Sequence, residues 1–184
     1  MNLGHLRRRF RLNDPPESEI INDQRVYTIE SDTISAVIAK IKQLLHVSGA
    51  ELSLVLVTDE KIRELNSTYR SVDEPTDVLS FPQHEDGIAG ISRLLGLHQS
   101  AAAHHQPVLL GDVVISTETV RRRELTDHVE ANQEFLLLLV HGILHLLGYN
   151  HELSDDEQRM NALQSDVLGQ LSFDGAPPRL LTGC

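Results

Sequence analysis

The chain has 184 residues, a length that favours one domain with a sizeable core. Its formal charge of −11 argues against a protein built around bulk attraction to phosphate, and no apolar run reaches the length of a membrane span. The single cysteine, Cys184, excludes an intrachain disulfide and a cysteine-based zinc site, so any metal must rest on His, Asp or Glu. Trp is absent and other aromatics are few, which leaves the interior to Leu, Ile and Val. Such cysteine usage fits a reducing compartment, and a cytoplasmic location is expected.

Residues 1–19 combine charge with the Pro15-Pro16 pair and read as a flexible arm. The arm is basic, but no apolar segment follows it, so it is not a secretory signal; an organellar transit peptide stays open. "VYTIE" (26–30) alternates and reads as a strand. Ser31 or Asp32 then opens a helix with Ile34, Val37, Ile38, Ile41, Leu44 and Leu45 at helical spacing, ended by Gly49. "ELSLVLV" (51–57) is apolar enough for the middle of a sheet. Thr58 or Asp59 caps a short helix whose inner face carries Ile62, Leu65 and Tyr69.

"TDVLSFP" (76–82) and "GDVVIST" (111–117) read as further strands. Between them, 83–107 is a long variable loop in which "ISRLLGL" forms a short helix; its His98, His104 and His105 read as surface residues. Asp127 and Glu130 suggest a capping box before a helix to Leu147, and Ser154 with Glu157 suggests another before a helix to about Leu168. Residues 169–184 read as a frayed tail. The fold class expected is α+β: a single domain over 20–168, with a small mixed sheet of about four strands and helices packed on it. Sheet order is not resolved by the sequence.

The stretch "HGILHLLGYNH" (141–151) holds three histidines, His141, His145 and His151. Residues four apart on a helix differ by about 40° around the axis, so His141 and His145 project side by side. Gly148 suits a left-handed position that ends the helix and turns His151 back toward them. The spacing H-x3-H-x2-G-x2-H also occurs in metzincin proteases. Three protein ligands leave a tetrahedral ion one position for water or substrate, as in catalytic zinc sites. Metzincins place a Glu directly after the first histidine as general base; here that residue is Gly142, which argues against standard peptide hydrolysis.

The same stretch closely resembles the signature of the YbeY family, bacterial and organellar endoribonucleases that mature ribosomal RNA. "LNSTYRSVDEPTDVLSFP" (65–82) and "LGDVVIS" (110–116) resemble two further blocks of that family, and together the motifs span most of residues 50–165. The resemblance implies that His141, His145 and His151 bind one Zn²⁺ and that Arg70 is catalytically important. A planar guanidinium suits a phosphodiester, which it can hold bidentately. Asp77 and Asp112 read as structural residues or as supports behind the metal ligands, not as ligands themselves. Asn150 departs from the family's usual Asp, which puts full activity in question rather than metal binding.

The resemblance further implies a zinc-dependent endoribonuclease specific for single strands, acting in maturation of the 16S rRNA 3′ end and in ribosome quality control. Its partners would be single-stranded and ribosomal RNA, and the ribosome or ribosome-associated proteins. Alternatives are a metal-dependent hydrolase of another substrate class, or a non-catalytic metal-stabilised module on the ribosome. Because the chain is acidic overall, RNA binding calls for a local basic groove, expected at Arg70, Arg63 and Arg121–Arg123.

Overall fold

The computed structural model describes residues 18–98, 108–151, 153–172 and 176–183. Most of the basic arm, and His104 and His105 of the 83–107 segment, lie outside them. The main sheet has four strands in the order β1-β3-β5-β4, with β1 at Glu19–Asn22, β3 at Ala50–Val57, β4 at Val78–Pro82 and β5 at Val108–Ser116. β1 and β5 run parallel to β3, and β4 pairs antiparallel with β5 at the edge. The fold is therefore α+β with a mixed sheet, as expected.

The central strands alternate, and each face of the sheet has its own core. Leu52, Leu54 and Leu56 of β3 join Val113 and Ile115 of β5 in the main core. Over this face lie α1 (Ser31–Leu44), α5 (Ala131–Leu146) and α6 (Ser154–Leu171). Val57 and Val114 point the other way and meet Leu79 and Ile62, the latter on α2 (Asp59–Arg70). Burying each such aliphatic side chain contributes roughly 1.5–3 kcal/mol relative to leaving it in water.

Several elements differ from expectation. The strand at β2 (Tyr27–Ile29) does not join the main sheet; it pairs antiparallel with β6 (Leu181–Gly183). The expected frayed tail is thus a strand, and Leu180 and Leu181 are buried. Asn132 Oδ1 accepts the amides of both residues at 2.7 Å, which ties the tail to the first turn of α5. The main sheet instead gains β1, a four-residue edge strand with only two apolar residues. "GIAGISRLLGLH" forms α3 (Gly87–His98), longer than the short helix expected.

A further helix, α4 (Thr117–Thr126), stands where no element was expected. It buries one apolar residue, Val120, so it lacks a hydrophobic period, and ion pairs hold its polar faces. Asp127 consequently closes α4 instead of opening a capping box, while Glu130 caps α5 by accepting Gln133 N–H. Helix α1 begins after Glu30 with no side-chain cap and ends at Leu44, with Leu45 as its C-cap; His46, at φ 58°, makes the turn in place of Gly49. Thr58 caps α2, as its sequence suggests, by accepting Lys61 N–H at 3.3 Å. Ser154 lies inside α6, whose N-cap is Leu153.

Candidate metal centre

Helix α5 carries the site because most of its length is core. Phe135, Leu136, Leu138, Leu139, Val140, Ile143, Leu144 and Leu146 are buried, which leaves His141 and His145 on its less buried side. The helix ends in a complete Schellman motif. Tyr149 N–H donates to Leu144 O at 3.1 Å and Gly148 N–H to His145 O at 3.0 Å. Gly148 has φ +84°, and a side chain there would stand 2.8 Å from Gly87 Cα at the start of α3. Ile88 N–H of α3 donates to Leu147 O at 2.8 Å, so α3 clamps the turn from outside. This turn brings His151 back to the helix.

The three imidazoles converge. One ring nitrogen from each of His141, His145 and His151 lies within 4.8 Å of the others. His141 Nε2 and His145 Nε2 are 3.1 Å apart. Nitrogens bound to one tetrahedral zinc sit about 3.3 Å apart, given Zn–N bonds near 2.0–2.1 Å. The ring of His151 stacks on that of His141 with centroids 5.9 Å apart. No further His, Cys, Asp or Glu joins the cluster among the described residues.

Tautomers follow from the partners. His145 Nδ1 lies 2.9 Å from Tyr149 O. A carbonyl only accepts, so Nδ1 carries the proton and Nε2 presents a lone pair. Burial, then the neighbouring His141, His151 and Arg70, lower the His145 pKa to about 4, against the opposing effect of the Tyr149 bond. The ring is neutral at physiological pH, as a ligand must be. Three imidazole nitrogens gathered in one small volume suit a single divalent cation.

Packing explains the residue after His141. A Cβ on Gly142 would lie 2.5 Å from Val113 Cγ1 of β5 and 3.3 Å from Ser80 Oγ of β4. Ser80 Oγ–H donates to Gly142 O at 3.1 Å, which locks helix to sheet. A glutamate at 142 has no room and would face the sheet, so the metzincin base is precluded by packing as well as by identity.

The other expected residues fall as follows. Arg70 ends α2 and is exposed; no ion pair to it forms among the described residues, and its charge acts on His145. The expected basic groove is much reduced. Arg63 holds Asp73 bidentately at 2.8 Å, Arg121 holds Glu124, Arg122 holds Asp59, and Arg123 holds both Asp77 and Glu134. Asp77 is thereby engaged away from the cluster. Asp112, two residues before Val114, lies on the face opposite α5. Asn150 is exposed in the turn.

Two residues gain significance only from the structure. Tyr69, expected on a buried helix face, is 66% exposed and rests edge-on against Phe81 with ring centroids 5.0 Å apart. Gln164 of α6 places Oε1 3.1 Å from His141 Nδ1. Its sequence signal is a polar residue on the stripe otherwise made by Met160, Val167 and Leu171.

Fold and cluster together define a class: an α+β protein whose helix and following turn build a three-histidine site suited to one cation. Residues 18–172 match the family profile described as Endoribonuclease YbeY. Relatives named Endoribonuclease YbeY include that of Aquifex aeolicus, 43% identical over 131 residues, covering 70% of this chain and 75% of that protein. That of Sulfurihydrogenibium is 34% identical over 165 residues, covering 88% of this chain and 98% of the relative. The solution structure of TM1509 from Thermotoga maritima shares the fold, with a TM-score of 0.51 and 22% identity, over 83% of this chain and 90% of that one. The chain belongs to the endoribonuclease YbeY family.

Proposed function

We propose that this chain is a zinc-dependent endoribonuclease that cuts single-stranded RNA. Its role is maturation of the 16S rRNA 3′ end and ribosome quality control, in the cytoplasm, with the ribosome or ribosome-associated proteins as partners. The observation that carries the reading is the convergence of His141, His145 and His151 in a member of an endoribonuclease family.

These histidines would hold Zn²⁺ through ring nitrogens, with His145 already fixed to present Nε2. Zinc, when bound, supplies a Lewis acid and lowers the pKa of water near neutrality. Arg70 would bind the scissile phosphate and offset charge that builds on its oxygens. Having no carboxylate partner among the described residues, its guanidinium can take a phosphate without first breaking an ion pair. Tyr69 beside it exposes a ring on which a base can stack, which favours single strands over a closed duplex.

The test is metal analysis of wild type beside His141→Ala, with cleavage of labelled single-stranded RNA and of a peptide library by both. Wild type should carry about one zinc per chain and cut RNA but not peptides, and His141→Ala should lose both metal and cleavage. Equal RNA cleavage by the two proteins overturns the reading.

A further inference from the structure

We propose that Gln164 is a positioning residue for His141: its amide oxygen holds the Nδ1–H tautomer and turns Nε2 toward the cation. The inference rests on the metal reading above and adds to it a residue from a separate helix. Two observations carry it. Met160, Val167 and Leu171 mark the buried stripe of α6, and Gln164 stands on that stripe, four residues after Met160. A partly buried amide is costly there unless it is bonded. The partner it finds is His141 Nδ1, with Gln164 Oε1 3.1 Å away.

The bond decides chemistry because the tautomer of His141 is not otherwise set. His145 has a backbone carbonyl, which leaves no choice. His141 has an amide, which offers an acceptor at one end and donors at the other. With Oε1 accepting from Nδ1–H, the Nε2 lone pairs of His141 and His145 face each other at 3.1 Å, an arrangement that a shared cation relieves. With the acceptor removed, His141 is free to carry its proton on Nε2 and donate it to His145. Metal binding must then displace that proton. A neutral amide also leaves the imidazole less basic than a carboxylate would, so a stronger acceptor at 164 should tighten binding.

The experiment compares full-length wild type, Gln164→Met, Gln164→Glu and His141→Ala. Zinc affinity is read by chelator competition, and the His141 tautomer of the metal-free protein by ¹⁵N NMR of the imidazole. Gln164→Met should bind zinc at least about tenfold more weakly, with His141 moved from the Nδ1–H toward the Nε2–H form. Gln164→Glu should bind more tightly than wild type. Wild-type affinity and tautomer in Gln164→Met overturn the role of Gln164 and leave the metal reading standing. If Gln164→Met does not unfold cooperatively, Gln164→Glu decides: tighter binding supports the role, and unchanged or weaker binding overturns it. Failure of wild type to bind zinc, or undiminished binding by His141→Ala, overturns the metal reading itself.

Discussion

At the residue scale, identity and partner divide the work. Arg70 and Tyr69 are neighbours in sequence, yet under the proposed function they would offer RNA different things, a charge and a ring face. Base–aromatic stacking is worth about 1–3 kcal/mol. Tyr69→Leu should therefore raise KM for a single-stranded substrate at least about fivefold with kcat little changed, while Tyr69→Phe stays near wild type; steady-state kinetics on one labelled oligonucleotide checks both. Asn150 sits one residue before His151 and carries no charge. Asn150→Asp should tighten zinc binding by up to about fivefold, the scale of an exposed charge interaction, as measured by chelator competition. His141, His145 and His151 were legible because helical spacing and a following glycine are local facts. Gln164 was not, because nothing local says which helix lies against α5.

At the element scale, the turn after α5 is the joint on which the site depends. Gly148 combines a left-handed backbone with backbone contact from Gly87. Gly148→Ala must meet both the steric cost of that conformation, about 1–2 kcal/mol, and overpacking of about 1–3 kcal/mol. It should lower stability by about 2–5 kcal/mol in chemical denaturation and weaken zinc binding, because His151 moves with the turn. This turn was readable from Gly148 alone. Helix α4 was not: "TETVRRRELT" has one buried apolar residue, and its arginines pair with Asp59, Asp77 and Glu134, which come from distant parts of the chain.

At the scale of the whole molecule, the acidic chain uses its carboxylates to tie elements together. Asp59 of α2 accepts from Ser116 and Arg122 at 2.5 Å and from Thr119 at 2.8 Å, which joins α2 to the end of β5 and to α4. Burial alone pushes its carboxyl up, but the bonds from Ser116, Arg122 and Thr119 outweigh burial and hold it below 3.8. A depressed carboxylate stabilises the fold fully above its unfolded pKa and loses that contribution as pH falls through the lower folded value. Asp59→Asn should accordingly lower the melting temperature at pH 7, and the gap from wild type should narrow as pH drops below about 3.8. A gap that is constant with pH would show that the charge of Asp59 adds nothing. The same pairing explains why the expected groove shrank. Arg121–Arg123 read as a basic run, but each finds an acid in the folded chain.

Legible in the chain alone were the three histidines, their order along one helix and turn, the apolar character of β3 and β5, and the family. Each is written in local spacing, which backbone geometry converts directly into direction. Folding settles which strand joins β3, that Leu181–Gly183 pairs with β2, which arginines are neutralised, and that Gln164 reaches His141. These are meetings of segments far apart in the chain, and their outcome depends on sheet order and on the charge and shape of whatever packs opposite. Periodicity along one segment carries no record of either.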